Sequence, residues 1–253
     1  MSAKLAVASF SHCGWQRSNN QDAILVAEAE GIFLLADGMG GHAGGEIASQ
    51  LACEQVFQAL QRGASIVDAV ELGHQCILQR GQQQHDLHGM GTTLLCAQSG
   101  SDSLRLAWVG DSRIYRLRSG KLQQLSVDHT LVQQLVEREV ITASEAITHP
   151  QRHLLTQALG QLSGKSPLPS ELHVQYRQDD IYLLCSDGVS NMLEPATLSN
   201  ILNQSQLEFT ALAAQLLEAV LATEASDNAS AILLKILQAP KRKFWQTLWQ
   251  KNR

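Results

Sequence analysis

Nine short runs of β-type residues, strung along a chain of 253 residues, constrain its fold more than any other feature. They are KLAVASF (4–10), AILVAEA (23–29), GIFLLAD (31–37), TTLLCAQ (92–98), LRLAWVG (104–110), RIYRLRSGKLQQLS (113–126), ELHVQYR (171–177), DIYLLCSD (180–187) and SAILLKIL (230–237). Several are almost wholly apolar, so both faces need cover, or one sheet must pack on another. The sixth predicts a hairpin turning at Ser119-Gly120. Helical spacing appears in 45–62, with Ile47, Leu51, Phe57 and Leu60 as a stripe, and in 65–80, with Ile66, Val70, Ile77 and Leu78. Residues 130–139 and 208–223 are also helix-like. The order is strands, two helices, many strands, helices, one strand. Without strict β-α-β alternation it predicts an α+β fold in one domain, with an irregular insertion near 128–170 and a tail from Ala239.

Several classes are excluded or disfavoured. No run approaches the ~18 consecutive apolar residues of a membrane span. The opening MSAKLAVASFSHCGW makes a poor signal peptide, so the expectation is a cytoplasmic protein. The five cysteines (Cys13, Cys53, Cys76, Cys96, Cys185) are odd in number and scattered, mostly as small hydrophobes in apolar patterns. No Cys-x5-Arg loop occurs, which argues against a cysteine-nucleophile phosphatase. The net charge of −5 hides an asymmetry: Lys241, Arg242, Lys243, Lys251 and Arg253 all lie in the last fifteen residues. The rest has 14 basic against 24 acidic residues, a net −10, which argues against nucleic acid as the main partner.

The chemistry gathers around aspartate. In FLLADGMGGHAGGEIAS (33–49) one carboxylate ends an apolar run and five glycines follow within eight residues. A Gly-rich turn can cradle phosphate, but a carboxylate at its mouth repels phosphate, so a positive charge is required between them. Asp111, Asp187 and Asp227 also sit at strand ends or in adjoining turns, and Asp22 lies just before a strand. Any one of them could be an ordinary turn former or helix cap. If they converge, each pair ~4 Å apart repels by ~4 kcal/mol at an effective dielectric near 20. Divalent cations remove that cost. An all-oxygen ligand set, with no matched His or Cys, suits Mg²⁺ or Mn²⁺ over Zn²⁺.

RSNNQD, LLADGMGGHAGG, GMGTTL, AWVGDSRIYRLRSGKLQQLSVDHT, LLCSDGVSNML and SDNAS together resemble, in order, the motifs of the metal-dependent protein phosphatases of type 2C, and most of all the small stand-alone bacterial members. The resemblance runs from Arg17 to about Ile236. It implies a β-sandwich of two antiparallel sheets flanked by helix pairs (αββα), with two metals in a channel at one edge and a flap near 128–170. By the same resemblance Asp37 bridges both metals and Gly38 lends a backbone carbonyl. Asp187 and Asp227 bind the first metal, and Asp22 is the motif acid near the second. Asp111, with Asp187, helps hold a third, weaker metal. Arg17 grips the phosphate. A water or hydroxide between the Mn²⁺ or Mg²⁺ ions then attacks phosphorus, and no phosphoenzyme is needed. His42, with an unperturbed pKa of ~6.5, is the candidate general acid for the leaving oxygen. The implied substrates are phosphoserine and phosphothreonine proteins, opposing a bacterial Ser/Thr kinase in signal transduction, and the expected state is a monomer.

Two positions depart from the pattern. Gln21 stands where many members have Glu, and Asp227-Asn228-Ala229-Ser230 replaces DN(I/V)T. Neither removes a required carboxylate. His129 and His149 bracket the flap region, where a substrate-side contact is a further option, while Trp108 and Tyr115 are expected in the core. Two other readings compete. A nucleotide-binding enzyme lacks support, since there is no G-x4-G-K-[ST] and no kinase lysine and H-R-D set. The other is a catalytically silent phospho-sensing or regulatory module of the same fold. The division is thus a catalytic domain over 1–238 and a tail over 239–253. In that tail Phe244, Trp245, Leu248 and Trp249 recur on one face between basic residues. Such a segment can fold back onto the acidic body, or meet an anionic membrane or acidic partner.

Overall fold

A computed structural model describes residues 3–40, 44–162, 166–204 and 207–239; His42 and the tail beyond Ala239 lie outside them. All nine β-type runs are strands. They form β1 (Lys4–His12), β2 (Asp22–Ala27), β3 (Ile32–Met39), β4 (Gly91–Thr92), β5 (Leu94–Ser99), β6 (Ser103–Val109), β7 (Arg113–Arg118), β8 (Lys121–Gln124), β9 (Ser170–Gln175), β10 (Ile181–Cys185) and β11 (Ala229–Gln238). The fourth run splits because the Thr93 N–H turns away to the Asp37 carbonyl at 2.9 Å. The sixth folds back as expected, with Ser119 (φ 50°) and Gly120 (φ 77°) both left-handed, as a two-residue turn requires.

One antiparallel sheet runs β1-β11-β10-β7-β8 and the other β2-β3-β5-β6-β9, with β4 paired to β3. Phe33, Leu35, Trp108, Tyr182, Ile232 and Leu234 fill the space between the sheets. The alternate residues of the same strands face outward onto helices. Ile32 and Leu34 pack under α1 (Gly44–Gln61) and α2 (Ile66–Gln83). After α3 (Leu131–Glu137), α4 (Ala143–Thr148) and α5 (Asp187–Ser190), helices α6 (Pro195–Leu202) and α7 (Phe209–Leu221) cover Leu183 and Leu233 of the first sheet. The architecture is αββα, and this double cover explains why the central strands read as unbroken apolar runs. At ~1.5–3 kcal/mol per large side chain removed from water, those strands dominate the favourable side of folding.

Two expectations need correction. In α1 the fully buried residues are mostly small: Ala48, Ala52, Cys53, Val56 and Ala59, with Leu60. Ile47, Leu51 and Phe57 are only half-buried at the flanks. Small residues win because α1 comes very close to β3. A Cβ on Gly38 would lie 2.0 Å from the Gly45 carbonyl oxygen. The 128–170 insertion is also less irregular than its sequence suggests. It holds α3 and α4, the latter opened by a reciprocal Thr142–Glu145 cap, and it returns through bridges Thr130–Leu155 and Thr92–Leu159.

Candidate active site

The β2–β3 register sets Asp22 opposite Asp37. Asp111 lies in the turn from β6 to β7, Asp187 opens α5 directly after β10, and Asp227 precedes β11. The fold brings them together. Asp37 is repelled by Asp22, Asp187 and Asp111, and Asp187 by Asp227. Arg17 donates from Nη2 to Asp227 Oδ2 at 2.8 Å and also feels Asp187 and Asp37. All five sequence-predicted aspartates and the arginine therefore share one field, with the buried Gly38 next to Asp37.

Burial, then mutual repulsion, raises the carboxyl pKa values. Asp22 and Asp111 are each pushed up to about 7. Asp37 rises well above its ordinary value, and Asp187 rises as well. Asp37 and Asp187 act on each other within this cluster. Asp22 Oδ2 accepts from the Ser186 hydroxyl at 2.8 Å, while its Oδ1 is buried with no hydrogen-bond partner among the described residues. As they stand, no three Asp, Glu, His or Cys side chains among the described residues form a group that could hold a metal ion. In kind, the donors fit a hard divalent cation: all are oxygens, crowded beyond what one arginine neutralises, and one is orphaned.

A supporting layer holds these groups, and sequence reasoning read it only as scaffold or missed it. Thr93 Oγ1 accepts the Asp37 N–H at 3.0 Å and shares a 2.8 Å hydrogen bond with Ser112 Oγ. Thr92 Oγ1 donates to the Asp37 carbonyl at 2.9 Å. Asn228 uses its whole amide: Nδ2 donates to Cys13 O at 2.8 Å and Asn19 O at 3.0 Å, and Oδ1 accepts the Gln21 N–H at 2.8 Å. It ties the loop carrying Arg17 to the strand start carrying Asp227. Asn228 was visible inside SDNAS, but its partners lie more than 200 residues away in sequence. The Gln21 departure has a use: Nε2 donates to the Gly40 carbonyl at 3.3 Å, which an ionised Glu could not do. Ser230, in the altered motif, shares a 2.8 Å hydrogen bond with Ser11 Oγ and donates its N–H at 3.0 Å to Ser186 Oγ, the hydroxyl that serves Asp22.

In the glycine-rich segment, Gly38 lets backbone pack on backbone. A Cβ on Gly38 would also come within 2.6 Å of the Gln21 carbonyl oxygen. His129 is not a substrate contact. Nδ1 accepts the Gly110 N–H at 3.2 Å, Nε2 bonds Ser170 Oγ at 3.0 Å, and burial lowers its pKa. It anchors the turn that carries Asp111. Trp108 and Tyr115 are buried as expected.

The protein phosphatase 2C family model matches residues 12–238. The serine/threonine protein phosphatase PstP of Mycobacterium tuberculosis is 37% identical over 244 residues, which cover 92% of this chain and 45% of PstP. The chain thus spans less than half the length of that curated relative. The solved serine/threonine phosphatase of S. agalactiae superposes with a TM-score of 0.84 at 30% identity, over 92% of this chain and all of that one. The catalytic domain of PstP in complex with two manganese ions superposes with a TM-score of 0.80 at 34% identity, over 92% and 99%.

Proposed function

The chain belongs to the protein phosphatase 2C family, and on that premise we propose that residues 1–238 hydrolyse phosphoserine and phosphothreonine in proteins, with Mn²⁺ or Mg²⁺ as cofactor. The observation that carries this reading is the convergence of five aspartates, four with raised pKa, around one arginine. Asp37, the Gly38 carbonyl, Asp187 and Asp227 would hold the two tight ions, Asp22 would stand beside them, and Asp111 with Asp187 would hold a third. Bound there, the cations supply Lewis-acid neutralisation and a water of lowered pKa.

The chain's own residues do the rest. Arg17 is half exposed and reaches past Asp227, so its guanidinium can meet two phosphoryl oxygens side by side. Asp227 fixes its orientation beforehand, which spares ordering cost when substrate arrives. Asn228 keeps the distance between Arg17 and the carboxylates fixed. The role of proton donor to the leaving oxygen falls to His42. Five unpaired thiols support a reducing compartment, and with it a cytoplasmic enzyme opposing a Ser/Thr kinase of the same cell.

The test is release of phosphate from a phosphothreonine peptide by the full chain after EDTA treatment, with and without added Mn²⁺. Turnover restored by Mn²⁺ supports the proposal. Tight peptide binding with no turnover at any metal concentration favours the silent phospho-sensing module.

A further inference from the structure

Trp15 stands two residues before Arg17 and is 62% exposed, the only exposed Phe, Tyr or Trp among the described residues. An exposed tryptophan is common enough to need no explanation by itself. This one is fixed in place. Its Nε1–H donates to the Leu221 carbonyl at 3.0 Å, and its backbone N–H to the Ala225 carbonyl at 2.9 Å. Its ring meets His12 edge-on, with centroids 5.6 Å apart at 74°. The loop beneath it is equally tight. Gly14 has φ 77°, and a Cβ there would lie 2.3 Å from the Asp227 carbonyl oxygen. The Cys13 thiol donates to the Arg17 carbonyl at 3.2 Å, and Asn228 Nδ2 donates to the Cys13 carbonyl at 2.8 Å. The indole thus rides on the same rigid loop as the arginine, locked to the segment that carries Asp227.

The segment that holds the indole carries exposed acids. Glu224 adjoins Ala225, Glu218 lies one turn before Leu221, and both are exposed. Neither enters an ion pair among the described residues. A fixed, exposed indole held by a segment with unpaired carboxylates suits a guanidinium or ammonium side chain: the ring quadrupole and the local negative charge attract the same cation.

We propose that Trp15 is a specificity-determining residue that stacks on a basic side chain close to the phosphorylated serine or threonine. The proposal rests on the phosphatase reading, since it takes the phosphate to lie at Arg17. The cation can come from a residue on either side of the phosphoresidue, so the test walks it. A phosphothreonine peptide of otherwise Ala and Gly is compared with versions carrying one Arg at each position from three before to three after. Phosphate release is measured on the Mn²⁺-loaded full chain. The wild type is expected to show a KM about 2–5-fold lower for Arg than for Ala at one or two positions, with kcat little changed. In Trp15→Ala that ratio falls to about one. Trp15→Phe, which keeps a ring but loses the indole N–H, retains part of it, and Glu224→Gln reduces it. A ratio of one in the wild type overturns the proposal. So does a wild-type ratio that survives in Trp15→Ala, including the case where that variant loses activity equally toward both peptides. Failure of the wild type to hydrolyse any peptide, or p-nitrophenyl phosphate, would instead overturn the phosphatase reading.

Discussion

Strand β10 has an aspartate outside each end, Asp180 and Asp187, and the fold treats the two in opposite ways. Asp180 is 1% exposed and fully answered. Arg118 donates from Nε to Oδ1 at 2.8 Å and from Nη2 to Oδ2, and the Tyr182 hydroxyl adds a third bond at 3.2 Å. Asp187 has Asp37 and Asp227 for neighbours. Arg113, at the end of the paired strand β7, is committed to Asp128 through both Nε and Nη2, and Arg17 to Asp227. The protein can thus supply a fork of donors to a buried carboxylate when the carboxylate serves the fold. At the other end of the same strand it withholds one. Asp187 accepts one neutral hydrogen bond, from Asn191 Nδ2 at 3.2 Å, and no arginine fork, which fits the proposed cation site.

The largest test of this contrast is activity. Asp37→Asn should lower turnover by about 10³-fold or more at saturating Mn²⁺, because a neutral amide cannot bridge two cations. Asp180→Asn should leave turnover within about twofold. Steady-state kinetics on both, with circular dichroism to show that each folds, would break the comparison if the two losses were alike.

The next test is stability. Asp180→Ala strips a buried partner from Arg118 and should cost about 3 kcal/mol, the low end for breaking a buried pair, because Arg118 is still about a quarter exposed. Urea unfolding would measure it. A cost under ~1 kcal/mol would mean that the pair behaves as a surface salt bridge.

A third, smaller effect depends on pH. In metal-free protein Asp111 keeps its proton to about pH 7 when folded, against an ordinary value of 3.8. Between those values the unfolded chain has lost the proton and the folded chain has not. The stability this group contributes is therefore fully present below about pH 4, is lost as pH rises toward 7, and stays lost above it. Asp111→Asn removes this loss. Its melting temperature should pull ahead of the wild type by a few degrees between about pH 4 and pH 7 in EDTA, and saturating Mn²⁺ should close the gap. A gap that is flat with pH would place Asp111 outside the repelling cluster.

The smallest effect sharpens the ranking inside the cluster. Asp111→Ala should lower turnover about tenfold, ~1.4 kcal/mol of barrier, while both tight Mn²⁺ sites persist in calorimetric titration. Loss of both tight sites would move Asp111 to the centre of the cluster.

The sequence by itself determined the strands, the layer class and the aspartates. Apolar runs such as IFLLA and YLLC can be buried only between two covers, and the six ordered motifs name their acids directly. It misjudged the face of α1, because which side chains meet a sheet depends on how close the helix comes. The close approach at Gly38 and Gly45 favours small residues such as Ala48 at the start of α1, while Phe57 packs at the edge of the same core. It missed α5 because four residues carry no period, and it passed over Trp15 because exposure is not a local property. The LLCSDG motif singled out Asp187, but the apolar run alone did not show that Asp180 at its other end is paired. That difference was decided by the β7–β10 register, which pairs Leu117 with Ile181 and so sets Arg118 beside Asp180 from 62 residues away. Whether a carboxylate is answered or left waiting for a cation depends on what stands opposite it, and only the folded sheets bring the two sides together.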